Sequence, residues 1–436
     1  MLYPAAVLLA LAAPAASAQT APVQAVAVKP APGFEARVRE LAGILAGTGD
    51  YDGFFTSGFR AQVPKAQFAA IGAQLVQANG PVQRIEGFEM VDPYAGTVRV
   101  AFRDATATIQ MRVEPSAPNQ VSSLLVTGFA AREASVDAVL SALQGLHGTT
   151  GFAVAKLGAG APALVKAHNA DRAFAVGSAF KLVILAELVR ATNAGERRWD
   201  DLVTLDGAPL PGGGYNLKPK GTQVSIRELA TQMISISDNS ATDILLATLG
   251  REKVEAMLPV VGVADPARNV PFLGTLEAFK LKYVQGGAYA KRYAALDLPG
   301  KRALLSGEVA AIPLILVSPP PGPPKPTLID QVEWFFTPAD IVRILDWLRR
   351  NSDGPKGADV RAVLSKNPGI GPAAAKWQWV GYKGGSEPGV IEMSLLLQAK
   401  NGEWYVVTGS WNDTLQPVEE SRFAALISRA AELLAP

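Results

Sequence analysis

Between Gly151 and Leu434 the chain opens and closes in strand patterns with helical patterns between them, and this order limits the fold more than any other feature. Gly151-Phe-Ala-Val-Ala-Lys-Leu157 and Ala163 to His168 alternate about the turn residues Gly158-Ala-Gly-Ala-Pro162, as an antiparallel hairpin does. Trp377 to Tyr382, Val390 to Gln398 and Trp404 to Trp411 read as three further antiparallel strands, and a last helix is expected from Val418 to Leu434. One sheet must then take its edge and its centre from distant sequence, with helices flanking it. Ser225 with Glu228, and Thr337-Pro338 with Asp340, mark helix starts. Residues 260–330 show little period and contain Ser318-Pro-Pro-Pro-Gly-Pro-Pro-Lys-Pro326, which favours polyproline II, so they read as an exposed excursion.

The first third of the chain has a different grammar. Phe34, Val38, Leu41 and Leu45 share one helical face, as do Phe68, Ile71, Leu75 and Val76. Strand-like stretches follow at Val82 to Met90, Gly96 to Phe102, Ala105 to Val113 and Val121 to Phe129, with turn chemistry at Asp92-Pro93 and Asn119. Helices followed by a meander predict a small α+β domain over 33–132, separate from a second domain over 136–436. By element order the first resembles cone-like folds of the cystatin and steroid-isomerase type.

Met1 to Ala18 reads as a secretory signal peptide: an apolar run from Ala5 to Ala13 precedes Ala16-Ser17-Ala18, a small-x-small cleavage site, although a basic n-region is missing. The run is shorter than the ~18–20 apolar residues that span a bilayer, so no membrane span is expected once the signal is removed. Residues 19–32, rich in Pro and Ala, read as a linker. A periplasmic or secreted protein follows. With no cysteine and only His147 and His168, neither disulfides, thiol catalysis nor a multi-histidine metal site is expected, and no cofactor is called for. A net charge of +2, from 41 basic and 39 acidic residues, gives no electrostatic case for nucleic acid.

Three short motifs occur in order: Ser178-Ala-Phe-Lys181, Ser237-Asp238-Asn239 and Lys383-Gly384-Gly385. Each alone has a plain structural explanation: a capped helix with a snorkelling lysine, an ordinary helix cap in which Ser240 and Asp243 take part, and a glycine bend that ends a strand. Together they describe a site. Residues i and i+3 share a helix face, so Lys181 can reach the Ser178 hydroxyl. A serine is a poor nucleophile without a nearby base, and a buried lysine near other cations loses its proton readily. Ser237 offers a hydroxyl to relay a proton, Asn239 an amide to position substrate or Lys181, and Lys383 a cation for an anionic group. Gly385 lets a ligand lie along the strand, and the Ser386 N–H can join that of Ser178 around a developing oxyanion.

S-x-x-K, S-D-N and K-[T/G]-G in this order resemble the serine β-lactamase and penicillin-binding-protein superfamily. Phe174-Ala-Val-Gly-Ser-Ala-Phe-Lys-Leu182 and Ile236-Ser-Asp-Asn-Ser-Ala-Thr-Asp243 are similar to class A enzymes. The layout, with Phe272-Leu-Gly-Thr-Leu-Glu-Ala-Phe-Lys-Leu-Lys282 and Lys383-Gly-Gly-Ser-Glu-Pro-Gly389, resembles the two-domain β-lactamase-like proteins of the clavulanic acid gene cluster and their relatives. The resemblance implies a class A β-lactamase-like second domain, an antiparallel sheet flanked by helices, that acts on a small molecule through an acyl-enzyme on Ser178. It favours β-lactams. An esterase or peptidase acting on esters or peptidoglycan-derived substrates, or a penicillin-binding, peptidoglycan-sensing protein with little turnover, are the alternatives. Two departures matter. The E-x-x-L-N loop whose Glu activates the deacylating water is missing, leaving Glu277 as the nearest candidate and Glu308 as a poorer one. Gly384 also stands where most class A enzymes have threonine.

Other residues are read as structural. His168 lies just past a strand, and His147 reads as a helix end. Trp377, Trp379, Trp404 and Trp411 have strand spacing and fit sheet packing. Asp92 and Asp104 carry no catalytic spacing.

Overall fold

A computed structural model describes residues 28–319, 321–352 and 357–436. The expected signal peptide and residues 19–27 of the expected linker lie outside them. The chain divides into two compact units between Arg132 and Glu133.

In the first unit, helices α1 (Pro32–Leu45), α2 (Tyr51–Phe54), α3 (Ser57–Gln62) and α4 (Lys65–Asn79) precede strands β1 (Val82–Asp92), β2 (Ala95–Phe102), β3 (Ala105–Val113) and β4 (Val121–Ala131). The strands form one antiparallel meander in the order β1-β2-β3-β4. Phe34, Val38, Leu41 and Ile44 of α1 are buried in one cluster with Val98, Val100, Ile109 and Met111 of the sheet. The face expected for α4 needs correction, since Ile71 is 42% exposed. Gly72 lies inward instead, where an added Cβ would sit 3.3 Å from the Leu45 carbonyl oxygen.

The second unit begins with α5 (Val136–Gln144), the hairpin β5 (Thr149–Leu157) and β6 (Ala163–His168), and the short β7 (Phe174–Ala175). A 3₁₀ turn over Gly177–Phe180 then leads into α6 (Lys181–Asn193), which buries ten of its residues. An apolar surface on all sides suits a helix at the centre of a domain. The ribbon of β8 (Leu202–Thr204) and β9 (Gln223–Ser225) leads to α7 (Ile226–Ser235), α8 (Asn239–Leu249) and α9 (Arg251–Val260). The stretch expected to be an exposed excursion is mostly helical: α10 (Thr275–Tyr283), α11 (Ala288–Ala295) and α12 (Leu298–Leu304). Phe272, Leu273, Leu281, Tyr293, Leu305 and Val309 lie in the main core. These helices are too short to display a clear period, which is why the pattern did not show them. Residues 313–316 and the proline-rich 321–325 are exposed as expected.

Then follow β10 (Phe335–Phe336), α13 (Pro338–Arg350), α14 (Ala358–Ser365), β11 (Trp379–Glu387), β12 (Val390–Gln398), β13 (Trp404–Asn412) and α15 (Glu420–Leu434). The main sheet is antiparallel with the order β11-β12-β13-β5-β6, so the late strands join the early hairpin through the β13–β5 pair. The expected glycine bend is absent: Lys383, Gly384 and Gly385 lie inside β11, paired with Ser394, Met393 and Glu392. The glycines answer a packing need, described below. The tryptophans pack on and around the sheet, with Trp379 against Trp404, Trp377 donating to the Ala431 carbonyl and Trp411 donating to that of His147.

Candidate functional site

The Ser178 turn is held from two sides. The Val176 N–H donates to the Trp334 carbonyl at 3.1 Å, and the Trp334 indole stacks on Phe180 with centroids 3.7 Å apart. On the other side the turn lies directly on β11. A Cβ on Gly385 would collide with the Val176 carbonyl oxygen and the Ser178 nitrogen, and one on Gly177 would sit 3.1 Å from the Ser386 nitrogen. Gly177 has φ +48°, a left-handed conformation that a side chain disfavours. The backbone nitrogens of Ser178 and Ser386 therefore belong to two chain segments in tight apposition.

The second motif comes between α7 and α8. Ser237 has φ +60°, uncommon for a residue with a Cβ and worth about 1–3 kcal/mol of local strain. The cap of α8 is Asp238, which accepts from the Ala241 N–H at 2.7 Å, in place of the cap expected from Ser240 and Asp243. Asp238 also accepts from Gly214 N–H and the Ser240 hydroxyl, while Ser240 accepts from Tyr215 N–H, so this cap ties the 213–215 loop to the site. Asp243 lies one turn beyond Asn239 and accepts from the Thr275 and Leu276 N–H groups at 2.6 and 2.9 Å. It anchors the start of α10 against α8, and burial pushes its carboxyl up to about 6.

Both lysines converge on Ser237. Lys181 Nζ donates to the Ser237 carbonyl at 2.7 Å, the Ser237 hydroxyl at 3.1 Å and Asn239 Oδ1 at 2.7 Å. Three partners occupy all three N–H groups of an ammonium, leaving no direction for Ser178. The expected Lys181–Ser178 hydrogen bond is therefore not formed in this arrangement. Lys383 Nζ donates to the same Ser237 hydroxyl at 3.0 Å and to its neighbour's carbonyl at Gly384.

Burial is what the two cations share. Lys181 is fully buried; desolvation first, then the charge of Lys383, pulls its pKa well below the ordinary lysine value, against the pull of Asp243 and Asp238. Lys383 is 2% exposed, and desolvation lowers it to about 7 while Glu392 works the other way. Glu392, across from Gly385, is buried with Ser394 and Thr408 donating to it, and desolvation raises its carboxyl to about 8.

The two carboxylates considered for deacylation are engaged elsewhere. Glu277 accepts from the Gly274 N–H at 2.8 Å, closing the first turn of α10, and pairs with Arg251 at 2.6 Å. Glu308 pairs with Arg292 on the surface. His147 contacts Asp413 at 2.6 Å and packs on Trp411, and His168 contacts Gln144 and Asn169. In the first unit Asp92 accepts from Tyr94 N–H and Arg112, while Asp104 pairs with Arg103. Among the described residues no group of three or more His, Cys, Asp or Glu side chains forms a metal cradle, and no helix is long and apolar enough to cross a membrane. Sequence reading missed Asp243, Trp334, Glu392 and a buried triad, Lys282, Glu333 and Glu387, that joins α10 to the end of β11. Lys282, Glu387 and Asp243 had a signal, since each lies in a stretch singled out for its resemblance, whereas Trp334, Glu333 and Glu392 had none.

The fold is thus a mixed α/β one with antiparallel sheets, and three motifs meet where β11 crosses the α6 turn. Residues 131–291 match the model of the family described as the beta-lactamase enzyme family. That match lies in the second unit apart from its first two residues, and it holds the Ser178 and Ser237 motifs but not Lys383. No curated protein matches it. Among solved structures it is similar to a β-lactamase from Sphaerobacter thermophilus DSM 20745, with 23% identity and a TM-score of 0.47 over 69% of this chain and 95% of that one. It is also similar to PBP-A, with 16% identity and a TM-score of 0.46 over 69% and 94%. An ancestral class A β-lactamase (GNCA) gives 20% identity and a TM-score of 0.46 over 69% and 98%.

Proposed function

We propose that the chain is an exported serine hydrolase of class A type that forms an acyl-enzyme on Ser178, with β-lactams as the favoured substrates. The observation that carries this reading is the convergence of Lys181 and Lys383 on one hydroxyl, that of Ser237, beside a serine turn pressed against β11. In the proposed reaction Lys181 first loses one proton to solvent, and with it one of its three partners, and the neutral amine then accepts the Ser178 proton. Ser178 Oγ bonds to the substrate carbonyl carbon while the Ser178 and Ser386 N–H groups stabilise the oxyanion. The C–N bond then breaks, Ser237 gives its proton to the leaving nitrogen, and the proton on Lys181 replaces it. Lys383 receives the substrate's anionic group, and the Asn239 side-chain amide nitrogen, whose partner oxygen is held by Lys181, faces the substrate carbonyl side chain. Gly385 keeps the strand clear.

A second reading, acylation with little turnover as in a penicillin-binding or sensing protein, is favoured by the engagement of Glu277 with Gly274 and Arg251, which commits one lone pair on each carboxylate oxygen to the first turn of α10 and to its arginine. In either reading the mature protein starts after Ala18, acts outside the cytoplasm and needs no metal. The first unit is read as a cone-like domain of cystatin or steroid-isomerase type with a docking or structural role. Nitrocefin turnover by wild type and Ser178→Ala, with intact mass after mixing, tests the proposal. Turnover lost in the variant supports the hydrolase, and a lasting adduct on wild type alone supports the second reading. No adduct and no turnover would remove β-lactams and leave esters to be tried on Ser178.

A further inference from the structure

Lys282, Glu333 and Glu387 are three buried charged groups outside the reaction just described. Lys282 Nζ lies 2.6 Å from Glu333 and 2.5 Å from Glu387, with side chains 2%, 3% and 15% exposed respectively. The two carboxyls are also hydrogen-bonded to each other. Burying such a group is expensive, and packed apolar residues would hold three segments together at least as well. The elements joined are informative. Lys282 ends α10, whose start Asp243 fixes one turn from Asn239. Glu333 precedes Trp334, which carries the Ser178 turn on its carbonyl and its ring. Glu387 follows Ser386 and lies on the same face of β11 as Lys383 and Gly385, by the two-residue strand period.

We propose that Lys282, Glu333 and Glu387 form a positioning triad that sets the distance between the Ser386 N–H and the Ser178 turn, with one proton held between the two carboxyls. This rests on the reading of Ser178 as the acylated residue. A hydrogen bond between two carboxyls requires a proton on one of them, so with Lys282 charged the triad is neutral overall. Glu387 carries that proton: burial, then the charge of Glu333, raises it well above the ordinary carboxyl range. Burial opposes the charge of Glu333, but Lys282 and the Glu387 hydrogen bond outweigh it and hold Glu333 below the ordinary value. Burial likewise opposes the charge of Lys282, and the two carboxylates more than offset it.

The groups facing Glu387 are therefore Lys282 from α10 and Glu333 from the segment before β10. Its cross-strand partner Val390 is apolar, with Ile329 and Phe335 in the same cluster, and Lys383 is the next charge along its own strand face. Glu420 of α15 meets Ser386 through that residue's side chain. When the shared proton leaves at high pH, two carboxylates face each other across one lysine, and the end of β11 moves away from the Trp334 segment. The Ser386 N–H moves with it.

The test is the rate of Ser178 acylation by nitrocefin, read by intact mass, for wild type and Glu387→Gln between about pH 6 and pH 9.5, because pH effects common to both cancel in the ratio. Gln keeps the protonated shape at every pH. The variant-to-wild-type ratio should start near one and rise about tenfold at the alkaline end, within the ~100-fold that a 1 Å misplacement costs. A flat ratio overturns the triad as a positioning device. Amide protection of residues 381–388, measured by hydrogen exchange on the same proteins and on Lys282→Met, reads the geometry without chemistry. Protection should fall with rising pH in wild type, stay level in Glu387→Gln and be low throughout in Lys282→Met; identical profiles overturn the proposal. Should nitrocefin form no adduct with wild type at any pH, β-lactams are removed as substrates of Ser178, and the exchange profiles alone decide the triad.

Discussion

Ser237 presents both of its oxygens to Lys181, the carbonyl at 2.7 Å and the hydroxyl at 3.1 Å. A hydroxyl oxygen accepts two hydrogen bonds, and Lys383 supplies the second at 3.0 Å. The Ser237 proton is thereby left to point away from both lysines. Ser237→Ala should slow acylation by about 10²–10⁴-fold, the usual worth of a positioned proton donor. Stopped-flow nitrocefin with intact mass reads this directly, and a loss below tenfold would show that another group protonates the leaving nitrogen.

The Lys383 pKa of about 7 gives a sign to the pH profile. Below it the cation is present for an anionic substrate, and above it the charge is progressively lost. For a carboxylate-bearing β-lactam kcat/KM should therefore fall above about pH 7, by up to ~10-fold per unit, since that parameter reports the free enzyme. An uncharged ester should show a much smaller fall; equal falls for both would contradict anion binding at Lys383.

Glu392 has a stability counterpart. Its folded pKa of about 8 lies above the ordinary value of 4.5, so the folded chain binds the proton more tightly than the unfolded one. The contribution is complete at pH values below the unfolded pKa and is lost as pH rises towards 8. In Glu392→Gln the slope of Tm against pH between about 4.5 and 8 should be shallower than in wild type. Thermal melts across that range check it, and parallel curves would count against a protonated Glu392.

Gly385→Ala should be costly in two ways. The added methyl meets two backbone atoms of the Ser178 turn, which gives way less readily than the end of a side chain. A loss of about 1–3 kcal/mol is expected from the overpacking alone. Acylation should fall further than the Tm drop explains, because the oxyanion nitrogens are forced apart. Unfolding curves and adduct formation measured on one preparation separate the two effects.

Glu277→Gln should leave the fate of an acyl-enzyme unchanged while lowering stability by about 1–3 kcal/mol, the scale of lost charged hydrogen bonds. Its oxygens close the turn of α10 and pair with Arg251. A longer-lived adduct without a change in Tm would reverse the assignment and make Glu277 the water-activating group.

The strands were legible because their residues alternate or lie between turn signals: β12 runs over Val390–Gln398, the span read from the sequence, and β13 over Trp404–Asn412, one residue longer. The three motifs were legible because each is contiguous. What one strand could not reveal was the reason for its glycines, since Gly385 meets a turn more than 200 residues away in sequence. The same holds for Asp243, whose partners are the N–H groups of Thr275 and Leu276 and leave no mark in side-chain type. Glu333 and Glu387 were given no role, because their shared partner Lys282 is 51 and 105 residues away in sequence. The helices α10 to α12 were hidden by their shortness.

The pairing of β5 with β13 orders events during synthesis. Thr149–Leu157 leaves the ribosome early, yet its neighbour on the β13 side is Trp404–Asn412, more than half the chain later. Contacts so distant form slowly because the loop between them must close first. Until β13 emerges, β5 has β6 on one edge and open hydrogen-bonding groups on the other, and β11 reaches it only through β12 and β13. The Ser178 turn is thus synthesised long before β11, and a nascent chain stopped short of Trp404 would hold β11 and β12 with no β13 to join them to β5. If Ser178 is acylated as proposed, its reactivity should appear only once the sheet has closed, and covalent labelling of that serine would then be a clock for the end of folding.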